Sequence, residues 1–277
     1  MAERATNRPR ARDAGFLEKV KRVRDGNVER IRMVTSFVVV AIIWEVVARY
    51  VLKSDLFLAP LSGIAVSFWH LTLSGELAKH VAASMTEFGY GFALALVIGV
   101  PLGVLMATSR VIRHYLDPLV SALYTTPLIA LAPLFIMWFG LGIGSKIALI
   151  FLMSLFPILV NTLAGVRSTD NNLIEAAHAF GATETQIFYK VLIPSALPFI
   201  VSGLRLGVGR GLMGIVVGEM FGARAGVGFL IFSSSQAFDT AALFVGVLFL
   251  SICGFASVQL LLWVEKRLAP WREFKYD

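Results

Sequence analysis

Between residues 34 and 264 the chain is a succession of long apolar runs separated by polar breaks. Segments 88–109, 118–145, 147–166 and 240–264 contain no charged residue at all. Each is long enough for the ~20 residues with which a helix crosses the hydrocarbon layer. Two further runs are less pure: 34–52 contains Glu45 and Arg49, and 194–221 contains Arg205, Arg210 and Glu219. The runs are continuous rather than alternating, which specifies helices and not a barrel. The pattern predicts an all-α membrane protein with six transmembrane helices, at about 34–52, 86–108, 116–139, 146–166, 194–221 and 240–264.

The breaks have characters of their own. Segment 53–85 reads as extracytoplasmic; within it, 62–73 places Ile64, Ala65, Phe68, Trp69 and Leu71 on one face, as an amphipathic helix at a membrane surface does. Residues 109–114 read as a short turn, and 222–239 as a polar, partly apolar extracytoplasmic stretch. Gly99 and Gly103, and the series Gly203, Gly207, Gly211 and Gly214, Gly218, Gly222, predict faces where helices approach closely. Prolines inside spans remove backbone hydrogen bonds and bend helices. Pro127 and Pro133 in the third span and Pro157 in the fourth concentrate such bends where a moving path would use them.

Composition agrees with the pattern: 57% of residues are hydrophobic and only 16% charged. Charge then sets the orientation. The side holding the termini, Arg110, Arg113 and the 167–193 loop carries 18 Lys and Arg; the opposite loops carry four, Lys53, Lys79, Lys146 and Arg224. Lys and Arg excess marks the cytoplasmic side. Residues 1–32 are therefore a basic cytoplasmic tail, with a short helix around 16–23, and 266–277 a second cytoplasmic tail. The same asymmetry accounts for the net charge of +7 without nucleic acid as a partner. The first run is too extended for a cleaved signal peptide and reads as an anchor. Glu45 and Arg49, four apart with the acid first, predict a self-paired charge.

Candidate chemistry is sparse. One cysteine, Cys253, excludes an internal disulfide, and the four histidines lack metal-ligand spacing. No phosphate-binding G-x-x-x-x-G-K-[ST] run occurs, so any ATP and magnesium belong to another chain. Residues 209–214 match G-x-G-x-x-G formally but lack the strand that a dinucleotide site needs. No set of intramembrane carboxylates stands out, which weighs against both an intramembrane enzyme and the main alternative, an ion-coupled secondary transporter.

The polar break at 167–193 is the most organised. Asp170, Asn171 and Asn172 are N-cap candidates for a helix with an apolar stripe of Leu173, Ile174, Ala176, Ala177 and Phe180. Gly181 stands where a helix ends in a left-handed residue. Thr183 and Gln186 form a capping-box pattern for a second short helix over 184–190. Pro194 falls in the first turn of the fifth span, where proline costs little. Such a helix–turn–helix lies outside the apolar core and has little reason to be ordered unless it docks onto something.

Glu175-Ala176-Ala177, Gly181 and Val191-Leu192-Ile193-Pro194 resemble the coupling loop of ABC importer permeases, E-A-A-x3-G-x9-I-x-L-P, with the spacing intact. Residues 126–135 with Trp138-Phe139-Gly140, Phe156-Pro157-Ile158 with Asn161-Thr162, and Val216-Val217-Gly218-Glu219 with the 226–228 turn are similar to the nitrate, taurine, aliphatic sulfonate and bicarbonate importer permeases. The resemblance covers about 80–265. It implies a type I importer fold, a second copy of the chain, a cytoplasmic ABC ATPase holding ATP and magnesium, and an extracytoplasmic solute-binding protein. It also implies that Glu175, Ala176, Ala177, Gly181, Ala182, Thr183 and Pro194 form the ATPase contact.

For the translocation path the candidates are Arg205, Arg210, Glu219, Pro127 and Pro133. With Pro194 at the inner surface, Arg205 is roughly 16 Å deeper at ~1.5 Å of rise per residue. A cation at that depth faces either a wet path, where it favours an anionic solute, or a structural partner such as a carboxylate on another helix.

Overall fold

The computed structural model describes residues 31–32, 34–52 and 56–269. Most of the basic tail, the helix expected at 16–23 and residues 270–277 lie outside the described residues. Every regular element among the described residues is helical: α1 (Val34–Leu52), α2 (Leu61–Leu73), α3 (Glu76–Thr108), α4 (Arg110–Thr125), a 3-10 turn (Leu128–Leu131), α5 (Ala132–Phe139), α6 (Ile143–Arg167), α7 (Asn171–Ala179), α8 (Glu184–Ile187), a π-helical turn (Phe188–Leu192), α9 (Ile193–Met220), α10 (Val227–Gln236) and α11 (Thr240–Leu268).

Five helices are long and apolar enough to cross a membrane: α1, α3, α6, the continuous run Glu184–Met220, and α11. Counting α4 and α5 as one broken span makes six. The chain divides into two compact units, Met1–Gly63 and Ile64–Asp277. In the first, Trp44 Nε1 donates to Ala59 O at 3.0 Å. Arg49 Nε donates to Glu45 Oε1 at 2.7 Å, and Ser62 Oγ donates to the same oxygen at 2.9 Å while accepting from Arg49 Nη2. The charges of the first span are thus paired within their own helix, as the four-residue spacing predicts.

In the second unit α6 is the central helix, with Leu149, Ile150, Ile158 and Leu159 almost wholly buried. It packs between α3 and α9, and glycines on both neighbours permit the approach. A Cβ at Gly103 of α3 would come within 2.7 Å of Leu159 O, and one at Gly211 of α9 within 2.6 Å of Ser154 Oγ. Where no Cβ intervenes, Ser154 Oγ reaches Gly207 O at 3.0 Å. The small-residue face read from the sequence is therefore the α6–α9 seam, from Gly203 to Gly218. Ala95, Leu155, Ile158, Ala196, Ile200 and Leu204 join α3, α6 and α9 in one apolar cluster.

Several expected boundaries change. The span read as 116–139 is broken: α4 and the 3-10/α5 segment meet at 85°. Thr126 takes an extended conformation (φ −67°, ψ 135°), as the residue before a proline prefers, and Pro127 has no N–H to continue the helix. Pro133, in the first turn of α5, starts the next helix. The expected turn at 109–114 shrinks to Ser109, whose Oγ accepts from Ile112 N at 3.3 Å and caps α4. The second span begins at Glu76, ten residues before the apolar run does. The 222–239 stretch is no loose loop: it holds α10, with Val227 and Leu230 buried.

Candidate functional site

The 167–193 segment folds as a short helix, a reversal and a second helix. Asp170 caps α7, its carboxylate accepting from Asn172 N at 2.9 Å. At the other end Gly181 adopts φ +77°, and two bonds close the reversal: Gly181 N to His178 O at 2.9 Å and Ala182 N to Ala177 O at 3.0 Å. Those are the paired bonds of a Schellman motif, with glycine at its left-handed position. Thr183 and Gln186 then form a reciprocal capping box: Thr183 N donates to Gln186 Oε1 and Gln186 N to Thr183 Oγ1. Sequence-local chemistry builds the whole turn.

The second arm differs from the separate helix expected at 184–190. Helix α8 passes through a π turn directly into α9, without a break at Pro194. Proline inside a continuous helix lacks an N–H and crowds the carbonyl four residues before it. A wider π turn accommodates this, with Ile193 N bonded five residues back to Phe188 O. Pro194 thus sits within a 37-residue helix rather than at its start. Glu175 and Ala176 are exposed, Ala177 and Ala182 half-buried, and Phe180 is 93% exposed. Ile187, at 2% exposure, anchors the hairpin's base.

A second polar constellation joins four elements. His80, Ser84 and Glu87 lie along one stripe of α3, Lys146 on the first turns of α6, and Glu219 near the end of α9; all five are buried. Lys146 Nζ donates to Glu87 Oε1 at 3.0 Å. Ser84 Oγ donates to Glu219 Oε1 at 2.5 Å and accepts from Val227 N at 2.7 Å. Gly228 N and Phe229 N donate to Glu219 Oε2, at 2.6 and 3.4 Å, and Gly226 N donates to His80 Nδ1 at 3.0 Å. Four successive backbone N–H groups at the start of α10 are thereby satisfied by side chains of α3 and α9. A carboxylate at a helix N-terminus also meets the positive end of its dipole. The turn needs glycine, because a Cβ at Gly226 (φ +135°) would overlap the Glu219 carboxyl group.

The sequence reading missed this knot. It placed Lys146 in a loop and found no paired intramembrane carboxylates, whereas Lys146 is buried and Glu87 and Glu219 are neighbours. The one available signal was the spacing of His80, Ser84 and Glu87, which puts all three on one helical face at the edge of an apolar run.

Of the five path candidates, two are brought together, Pro127 and Arg210. Glu219 belongs to the knot. Arg205 Nη2 donates to Ser202 Oγ at 2.9 Å and stands 3.8 Å from Glu265 Oε2 on α11. Glu265 is three residues from the end of α11, so Arg205 lies level with that helix's last turn and not with its middle. Pro127 and Arg210 both line a cavity of about 210 Å³ beside the α4–α5 break. Pro133 is built into α5.

Among the described residues no group of three His, Cys, Asp or Glu could hold a metal ion. Residues 99–270 match the family of binding-protein-dependent transport system inner membrane components, and the chain belongs to it. It is a permease subunit of a binding-protein-dependent ABC importer.

The chain is 36% identical over 234 residues to the putative aliphatic sulfonates transport permease protein SsuC of Bacillus subtilis, covering 84% of this chain and 85% of that one. It is 35% identical over 238 residues to the formylaminopyrimidine transport permease protein ThiX of Halalkalibacterium halodurans (86% and 94%). To the taurine transport system permease protein TauC of Escherichia coli it is 34% identical over 243 residues (85% and 88%). An inward-facing structure of the MetNI methionine ABC transporter shares the fold, with a TM-score of 0.60 at 21% identity over 72% of this chain and 97% of that chain.

Proposed function

We propose that the hairpin of residues 167–193 is the surface through which a separate cytoplasmic ATPase drives this permease. The observation that carries the reading is its exposure: α7 and its C-cap residue present Leu173, Glu175, Ala176 and Phe180 to solvent, although the hairpin is capped at each helix. Leu173 and Phe180, both exposed on an ordered turn outside the apolar spans, support a docking role. Ala176, Ala177 and Ala182 keep that surface shallow, Glu175 supplies a charged contact, and Gly181 and Thr183 fix the reversal. ATP and magnesium reside on the partner, and this chain holds no cofactor.

In this reading the hairpin and both termini face the cytoplasm, in line with the 18-to-4 split of Lys and Arg. Two copies of the chain form the path, and an extracytoplasmic solute-binding protein delivers a small anionic solute such as a sulfonate, taurine or nitrate. The aliphatic sulfonates and taurine permeases SsuC and TauC, to which the chain is similar, support that solute class. Glu87 pairs with Lys146, and Glu219 with Ser84 and the start of α10, which supports a structural role for both over ion coupling. Co-purification tests the proposal: the tagged permease should bring down an ABC ATPase one-to-one. Recovery of the folded permease without any ATPase would contradict it.

A further inference from the structure

Arg205 and Arg210 are both cations within one apolar helix, but their surroundings differ. Arg205 has Ser202 and Glu265. Arg210 is exposed and has no hydrogen bond or ion pair among the described residues. It is 17 residues from Ile193 and ten from Met220, about 26 and 15 Å from the two ends of α9 at ~1.5 Å per residue. It stands five residues, about 8 Å, further along α9 than Arg205, away from the level of the last turn of α11. A cation so placed needs water or an anion beside it.

Beside it lies the cavity of about 210 Å³, walled by Met153, Phe156 and Pro157 of α6 and by Tyr124, Thr126 and Pro127 at the α4–α5 break. Irregular backbone inside an apolar segment is tolerated only where it is buried in protein or lines a wet cavity. The guanidinium and the broken helix share one cavity, and a wet cavity would satisfy both. Among the described residues Arg210 is the only charged group on its wall, joined there by two hydroxyls, those of Tyr124 and Thr126. A guanidinium with adjacent hydroxyls suits an oxyanion, and the Met153–Phe156–Pro157 wall suits an apolar remainder.

We infer that this cavity is a transient binding site in the membrane domain for a small organic anion, a compact oxyanion on a short apolar body held by Arg210, Tyr124 and Thr126. The inference rests on the reading of this chain as the solute path. Arg205 has no part in it.

The test uses the full chain in its membrane assembly, with Cys253→Ser and Thr126→Cys. Two thiol reagents of similar size serve as probes: anionic 2-sulfonatoethyl methanethiosulfonate and cationic 2-(trimethylammonium)ethyl methanethiosulfonate. Each labelling rate is divided by that reagent's rate with free 2-mercaptoethanol. The anionic reagent should be favoured about tenfold, as expected for one nearby charge in a partly wet site. Arg210→Gln should bring the ratio to about one, and Arg210→Lys should retain it. Tyr124→Cys repeats the measurement should Thr126→Cys fail to assemble. Equal rates with Arg210 present, a ratio indifferent to Arg210→Gln, or no labelling by either reagent at both positions would each overturn the site. Labelling needs no ATP hydrolysis, so a failure of the proposed hairpin coupling leaves this result untouched, and the two can be told apart.

Discussion

Lys146 Nζ lies 3.0 Å from Glu87 Oε1, and the two side chains, 59 residues apart in sequence, are only 8% and 5% exposed. The pair ties the start of α6 to the first third of α3, beneath the turn that leads into α10. An ion pair removed from water contributes little net stability, but losing one partner is costly because the other is left buried and charged.

Lys146→Met should therefore destabilise the folded subunit by on the order of 3–5 kcal/mol. The double variant Lys146→Met with Glu87→Gln should recover much of that loss, since no lone charge remains. Thermal unfolding of the purified protein in detergent measures both. A single variant as stable as the parent would mean that Glu87 finds another partner.

Gly226→Ala should be worse than Gly75→Ala, although both glycines have positive φ, +135° and +77°. At Gly75 the added Cβ meets nothing within 4 Å, leaving only a conformational cost of roughly 1–2 kcal/mol. At Gly226 it would displace the Glu219 carboxylate from the N-terminus of α10 as well. Comparing the unfolding temperatures of the two variants decides the point. Equal shifts would show that the knot yields without cost.

How much of this was legible beforehand depended on the distance over which each feature is specified. The spans followed from apolar runs, and the hairpin's reversal from Asp170, Gly181, Thr183 and Gln186, because caps act across three or four residues. The knot joins Ser84 to Glu219 across 135 residues. No local rule connects them, and Lys146 beside Gly142 and Gly144 looked like a loop cation. Pro127 signalled a bend, but its 85° depends on where α5 packs, against Leu149 and Met153 of α6. The sequence reading put Arg205 ahead of Arg210 for the path, because no local pattern shows that α11 places a carboxylate beside Arg205.

That contact is measurable. Arg205→Gln removes a partly exposed cation at 3.8 Å from the buried Glu265 carboxylate and one hydrogen bond, so on the order of 1–3 kcal/mol of stability should be lost. Transport per folded complex should remain near that of the parent. A selective collapse of transport with normal folding would put Arg205 back on the path.

The most direct test of the proposed coupling is binding-protein-stimulated ATP hydrolysis and solute uptake in reconstituted vesicles carrying Gly181→Val or Glu175→Lys. A Cβ at Gly181 meets nothing within 4 Å, so valine there strains only the backbone at φ +77°, by roughly 1–2 kcal/mol, and changes the shape of the reversal. The bundle of α3, α6 and α9 does not include this turn, so insertion and dimerisation should be normal. Uptake and stimulated hydrolysis should fall at least about tenfold in both variants, the loss that 1.4 kcal/mol of docking energy produces. Full uptake and full stimulated hydrolysis in both would contradict the hairpin's role as the site where ATP hydrolysis is coupled to this permease.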